Sequence, residues 1–155
     1  MKIKTLVAVL LLSGGATSTF AQSDCNANSS ISHEAVRAKN FKDAYAPCME
    51  VLKDCPTLRY YTYTDAQKIF VGLMSQIKDR NSAEYKKLFD EMMAVHDQKM
   101  KYIPEFATKM KGVPSVASAL GTKAVDYLQY APVPDLNQAY AGLKESAEAT
   151  KGETD

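Results

Sequence analysis

Apolar residues recur at helical spacing along most of the chain, and the clearest run begins at Phe41. Apolar side chains follow at intervals of three, four and seven positions: Phe41, Ala44, Tyr45, Cys48, Val51 and Leu52. This spacing places them on one face of an α-helix and predicts a helix over 41–54. Pro56 ends it, because the residue before a proline is displaced from helical backbone angles. Pro47 is expected either to bend the helix or to restrict regular hydrogen bonding to the part after it.

Five further segments carry the same periodicity. Helices are predicted over 29–38, 58–78, about 82–102, 113–130 and 136–150. Ile31, Ala35 and Ala38 form the apolar stripe of the first, and Pro104 closes or kinks the helix at 82–102. The sequence has no alternating β-branched runs between turn residues. The predicted fold is therefore all-α, with about six helices in antiparallel hairpins stacked as a short α-solenoid.

The last predicted helix, capped by Asp135, has its own apolar stripe. Leu136, Tyr140, Leu143 and Ala147 line one face. This stripe can cover only one neighbouring helix, whereas repeat stacks need a polar outer face at each end. We therefore expect either that the chain is the N-terminal portion of a longer solenoid, or that this helix is loosely held or pairs with another molecule.

The N-terminal residues follow a different pattern. Lys2 and Lys4 precede an apolar run at 6–12, and small residues then lead to Ala21. A basic start, a short apolar stretch and a small-residue exit are typical of a secretory signal peptide. We predict a signal peptide over 1–21 and a helical domain over 22–155. The apolar run is far shorter than the ~20 residues that span a bilayer, which disfavours the alternative of a membrane-anchored N-terminus. A periplasmic location is predicted, and secretion or envelope association remains open.

Charge excludes one class of partner. The chain has 19 basic and 18 acidic residues, for a formal net charge of +1. Without Lys2 and Lys4 the balance becomes about −1. No concentrated basic face is present, so we do not expect a nucleic-acid partner.

Three cysteines allow one disulfide. Cys25 lies at the start of the first predicted hairpin and Cys55 at its end, so the antiparallel geometry brings them together. Cys48 and Cys55 lie two helical turns apart, about 10 Å by helix rise, which is too far for a disulfide. We predict a Cys25–Cys55 disulfide and a free Cys48. The spacing lacks the paired Cys-x-x-Cys of a zinc or redox site.

The segment 39–56 resembles the second half of a tetratricopeptide repeat. Phe41, Ala44 and Pro56 stand in the family's register, whereas Val51 occupies a position where the family usually has alanine. The resemblance implies that the aromatic fills the hairpin bend, that the alanine lets two helices approach, and that the proline ends the second helix. Segments 28–35 and 60–65 are also similar to the start of large secreted tetratricopeptide-like proteins from anaerobic gut bacteria. That likeness implies a periplasmic helical solenoid with no assigned enzyme activity.

Candidate chemistry is sparse. His33 and His96 fall in different hairpins, with His33 expected at the surface and His96 half-buried. A metal site needs three or four converging ligands, so neither a metal nor another cofactor is predicted. No phosphate-binding loop or nucleophile triad is present in the sequence. We expect that the protein is not an enzyme, with an unrecognised catalytic site as the third alternative.

An aromatic cluster opens the third predicted helix. Arg59, Tyr60, Tyr61 and Tyr63 combine the residue types that are enriched at protein interfaces, although tyrosines there can also simply fill the groove between hairpins. The leading functional prediction is an exported scaffold whose concave face binds a protein or peptide. The alternative is a periplasmic small-ligand or sugar-associated binding protein, which needs a closed pocket.

Overall fold

The described part of the protein is built from six α-helices. The computed structural model describes residues 17–151, with side chains from Asp24 onward. The helices are α1 Thr17–Arg37, α2 Phe41–Asp54, α3 Tyr61–Met74, α4 Ala83–Lys109, α5 Val116–Tyr130 and α6 Leu136–Thr150. The predicted all-α fold is confirmed. The apolar run at 6–12, the core of the predicted signal peptide, lies outside the described residues, and the predicted boundary at Ala21 falls within α1.

Each helix packs mainly on the next helix in the chain. The most extensive contacts are those of α1 with α2 and of α5 with α6, and α1 also contacts α3. The largest fully buried side chains lie on α2, α3 and α4: Leu52, Tyr63, Ile69, Phe70 and Met92. This packing is consistent with a small helical bundle or a solenoid.

The first hairpin closes around small side chains. Ala44 is 0% exposed, and its carbonyl oxygen accepts a hydrogen bond from Ser32 Oγ at 3.1 Å. Val51 is also buried. The Phe41 ring lies against Gly72 of α3, so closely that a Cβ on Gly72 would overlap the ring. Phe41 therefore packs α2 onto α3, as well as standing at the bend where Lys39 adopts a left-handed φ of 57°.

Several helix limits differ from the predicted ones. α1 begins before position 29 because Cys25, Ser29, Ser32 and Val36 form its buried stripe, and the serines carry no apolar signal. Ile31, predicted to be on the packing face, is exposed. α3 is shorter than predicted at both ends.

Proline does not end α4. The helix continues through Pro104 to Lys109, with Ile103 and Phe106 buried on either side of the proline. The burial of these flanking apolar side chains offsets the loss of the backbone hydrogen bond that a proline cannot make. α2 likewise runs unbroken through Pro47 and ends at Asp54, just before Cys55 and Pro56.

Candidate interaction surface

The predicted disulfide is confirmed. Cys25 at the start of the buried part of α1 is bonded to Cys55 after α2, with their Cα atoms 6.3 Å apart. Cys48 is free and buried. Burial raises the pKa of the Cys48 thiol to about 11. A structural disulfide is consistent with an oxidising compartment.

The predicted aromatic cluster divides between two faces of α3. Tyr63 is 1% exposed and its hydroxyl donates to the Pro56 carbonyl oxygen at 2.9 Å. Tyr60 and Tyr63 both meet the Phe106 ring edge-on, with centroids 5.4 and 6.1 Å away. Positions 60 and 63 share a helical face, and that face is turned toward α4. Tyr63 is therefore a core residue, which fits the alternative in which the tyrosines of this cluster pack between hairpins rather than at a binding interface.

Arg59 and Tyr61 face α1. Arg59 donates to the Tyr61 hydroxyl at 2.9 Å and to Asn26 Oδ1 at 3.2 Å. The Tyr61 hydroxyl also lies 3.1 Å from Ser29 Oγ. Both predicted interface residues thus have partners within the chain, where they join the end of the α2–α3 loop to α1.

A histidine–carboxylate pair forms a second contact between α1 and α3. His33 Nδ1 lies 2.6 Å from Asp65 Oδ2, and the Asp65 side chain is buried. The Tyr61 ring flanks the imidazole, with centroids 4.6 Å apart, and Lys68 Nζ is 3.6 Å from Asp65 Oδ1. No group of three or more potential metal ligands occurs among the described residues. The pair fixes α1 against α3, and His33 keeps one edge at the surface.

The other histidine is more deeply buried than predicted. His96 Nε2 lies 2.8 Å from Asp126 Oδ2, which also accepts a hydrogen bond from Gln67 at 2.5 Å. Lys99 is buried nearby, and burial lowers its pKa against the opposing influence of Asp126. These residues tie α3, α4 and α5 together. Because the His96 and Asp126 side chains are 4% and 7% exposed, the cluster is closed to a substrate.

Several clefts lie between the described helices. A groove of about 480 Å³ separates α2 from the ends of α3 and α4, with Lys42, Tyr45 and Lys87 among its lining residues. The Tyr45 hydroxyl donates to Glu91 Oε2 at 2.6 Å, and burial together with that carboxylate raises the pKa of Tyr45 to about 12. A smaller cleft of about 180 Å³ lies between α5 and α6. It is smaller than the roughly 300 Å³ at which small-ligand pockets begin.

The C-terminal hairpin packs through small residues. Ser146 Oγ donates to the Ala117 carbonyl oxygen at 2.7 Å. A Cβ on Gly142 would lie 3.0 Å from the Ala124 Cβ, and one on Gly121 would lie 2.6 Å from Ser146 Oγ. Early α5 residues therefore contact late α6 residues, which makes the helices antiparallel. Their backbones approach closely because no large side chain separates them.

The close approach leaves the larger apolar residues of α6 outside. Leu136, Tyr140 and Leu143 are 69%, 68% and 36% exposed, whereas Ala139 is buried against α5. From the sequence we expect this stripe to cover one neighbouring helix at most. It does not pack on α5, because the contact positions are 139, 142 and 146, and Tyr140 and Leu143 lie one residue, about 100°, further round the helix.

Two residues of α5 extend this apolar surface. Val125 and Leu128 are exposed, and Leu128 lies about one helical turn beyond the contact residue Ala124. Val125 follows Ala124 in the same sense of rotation as Tyr140 follows Ala139. In antiparallel helices that sense leads to the same side of the hairpin. Lys123 and Asp126 make the polar contacts to α4, and they lie on a different side of α5 from Val125. We call the exposed set the C-terminal apolar face: Val125, Leu128, Leu136, Tyr140 and Leu143.

The apolar face was visible in the sequence only as a stripe on α6. The small residues in the α5–α6 contact, Gly121, Ala124 and Gly142, were the available signal that the packing face of α6 lay elsewhere. No described helix is both long and apolar enough to cross a membrane. No protein-family model, curated protein or solved structure matches the chain.

Proposed function

We propose that the protein is an exported helical scaffold of the tetratricopeptide-like kind, which binds a protein partner in the cell envelope through its C-terminal apolar face. The single observation that carries the proposal is the exposure of Leu136, Tyr140 and Leu143 on one side of a hairpin. Contiguous apolar patches of several hundred Å² on a folded domain mark interaction sites. Tyr140 supplies the aromatic anchor that such sites favour.

Export to the periplasm rests on two other features. The sequence pattern over 1–21 is that of a signal peptide, and the Cys25–Cys55 disulfide suits an oxidising compartment. The repeat assignment rests on Phe41, Ala44 and Pro56, together with the burial of Ala44 at the closing of the first hairpin. The proposed role needs no catalysis.

In-cell photo-crosslinking tests this function. A benzophenone amino acid replaces Tyr140 in one variant and Lys86, an exposed residue of α4, in the control. Position 140 is expected to give discrete crosslinked protein products in the envelope fraction, and position 86 is not. If the two positions give the same products, or position 140 gives none, the apolar face is not a binding surface.

A further inference from the structure

We infer that the partner of the C-terminal apolar face is a second copy of this chain, joined through antiparallel pairing of α6 with α6. The inference rests on the proposed function, because it identifies the occupant of the same surface. A two-fold dimer uses the same patch on both copies, so the patch must be complementary to itself.

The order of side chains along α6 meets that requirement. Large residues come first, at Leu136 and Tyr140, and small Ala147 comes last. A two-fold axis midway between positions 140 and 143 places Tyr140 opposite Leu143 of the second copy, and Leu136 opposite its Ala147. The largest side chain, Tyr140, then meets a smaller leucine, and Leu136 meets an alanine, so unequal side chains face each other, as close packing favours.

The size of the surface also fits a dimer. The exposed parts of the five residues of the apolar face, with adjoining Val133, amount to about 600 Å² of apolar surface per copy, on the scale of 150–250 Å² for one aromatic side chain. If all of this surface were covered, two copies would bury at most about 1,200 Å², which reaches the lower end of the range for specific protein interfaces.

Charge does not oppose the association. The whole chain carries a formal net charge of only +1, and proteins of near-zero net charge repel one another weakly. Beside the apolar stripe, Lys144 and Glu148 approach within 3.8 Å and carry opposite charges. This pair carries no net charge, so it does not place charge of a single sign beside the stripe.

Sedimentation velocity of the purified chain over a range of concentrations tests the inference. We expect a monomer–dimer equilibrium whose dissociation constant rises at least about tenfold in Tyr140→Glu. The matched control is Ile31→Glu, since Ile31 is an apolar residue of α1 that is 57% exposed, and it should leave the equilibrium unchanged. A chain that stays monomeric at high concentration overturns the inference, as does a dimer that Ile31→Glu weakens as much as Tyr140→Glu.

A cysteine pair tests the register. The double variant Leu136→Cys with Ala147→Cys should form a covalent dimer under mild oxidation, because the two positions lie about 16 Å apart within one helix and cannot join there. Failure to crosslink at concentrations where the unmodified chain is dimeric refutes the antiparallel register. If photo-crosslinking at position 140 captures only a different protein, self-association is refuted while the proposed binding function stands.

Discussion

The first and last hairpins make equally extensive helix contacts but use them differently. In α1–α2 the buried stripe of Cys25, Ser29, Ser32 and Val36 meets Ala44, Cys48 and Val51, and the two helices share a disulfide. In α5–α6 the buried apolar residues are alanines, such as Ala124 and Ala139, while the large side chains point to solvent. Close helix contact by itself therefore does not bury the large apolar side chains of a helix.

The difference lies in what surrounds each hairpin. α1–α2 is held against α3 from outside, by the Phe41 ring on Gly72 and by the His33–Asp65 pair. α6 packs chiefly on α5. A helix with one neighbour can bury one stripe only, and here that stripe is made of small residues. The remaining apolar surface stays available for intermolecular contact.

The largest expected loss of stability comes from breaking the His96–Asp126 cluster, which ties α5 to α3 and α4. Asp126→Ala removes the carboxylate that holds His96 and faces Lys99, and it should destabilise the fold by about 3–5 kcal/mol, because it leaves buried polar groups unpaired. Denaturant unfolding measures it. The control is Asp97→Ala, which breaks the more exposed Asp97–Lys123 pair between the same two helices. That change should cost at most about 1 kcal/mol, and equal losses would contradict the structural role given to Asp126.

The second largest expected loss of stability follows from removing the disulfide. Replacing Cys25 and Cys55 together by alanine opens a loop with a sequence separation of 30 and should cost about 3–4 kcal/mol in the chain-entropy model. Hydrogen exchange should show the loss first in α1 and α2, and the exchange of α6 should change little at low denaturant. A loss of protection that is uniform over both hairpins would show that the disulfide does not stabilise the first hairpin in particular.

A smaller change in stability is expected from a comparison of single substitutions at Ala44 and Tyr140. Ala44→Trp forces a large ring into a site with no exposed surface and should cost about 1–3 kcal/mol or more by overpacking. Tyr140→Ala removes a much larger side chain from the apolar face and should change the stability of the monomer by no more than about 0.5 kcal/mol. Thermal melts of the two variants at low concentration test the pair. An unchanged melt for Ala44→Trp would show that α1 and α2 do not close on this residue.

The smallest expected effect is a change of stability with pH that is caused by the free thiol of Cys48. The pKa of Cys48 rises from 9.0 to about 11 on burial, so the folded protein holds this proton where the unfolded chain loses it. The resulting stabilisation is fully present below pH 9 and is lost as the pH rises through 11. At pH 8, iodoacetamide should alkylate Cys48 only in denaturant, and mass spectrometry distinguishes the two states. Rapid labelling of the native protein would show that the first hairpin is open at this position.

The parts of the fold that the sequence predicts correctly depend on local pattern. The 41–54 helix follows from its apolar spacing, and the Cys25–Cys55 bond follows from the ends of one antiparallel hairpin. Buried Ser29 and Ser32 were missed because a serine contributes no apolar signal, although each finds a hydrogen-bond partner.

The errors arise where distant segments decide the packing. The partner of His96 is Asp126, 30 residues away on another helix, so its burial has no local signature. On α6 the apolar period predicted the stripe but not which way it faces. Gly142 and Ser146, with their small side chains, determine that orientation by allowing α5 to approach.

The Cys25–Cys55 bond also has a mechanical consequence. Tension applied between the N-terminal side of Cys25 and the C-terminal side of Cys55 passes from one sulfur directly to the other. The 29 residues between them, which include all of α2 and the part of α1 after Cys25, then form a side loop that carries no load. Stretching the molecule from its ends would therefore extend α3 to α6 while leaving α2 outside the path of the force.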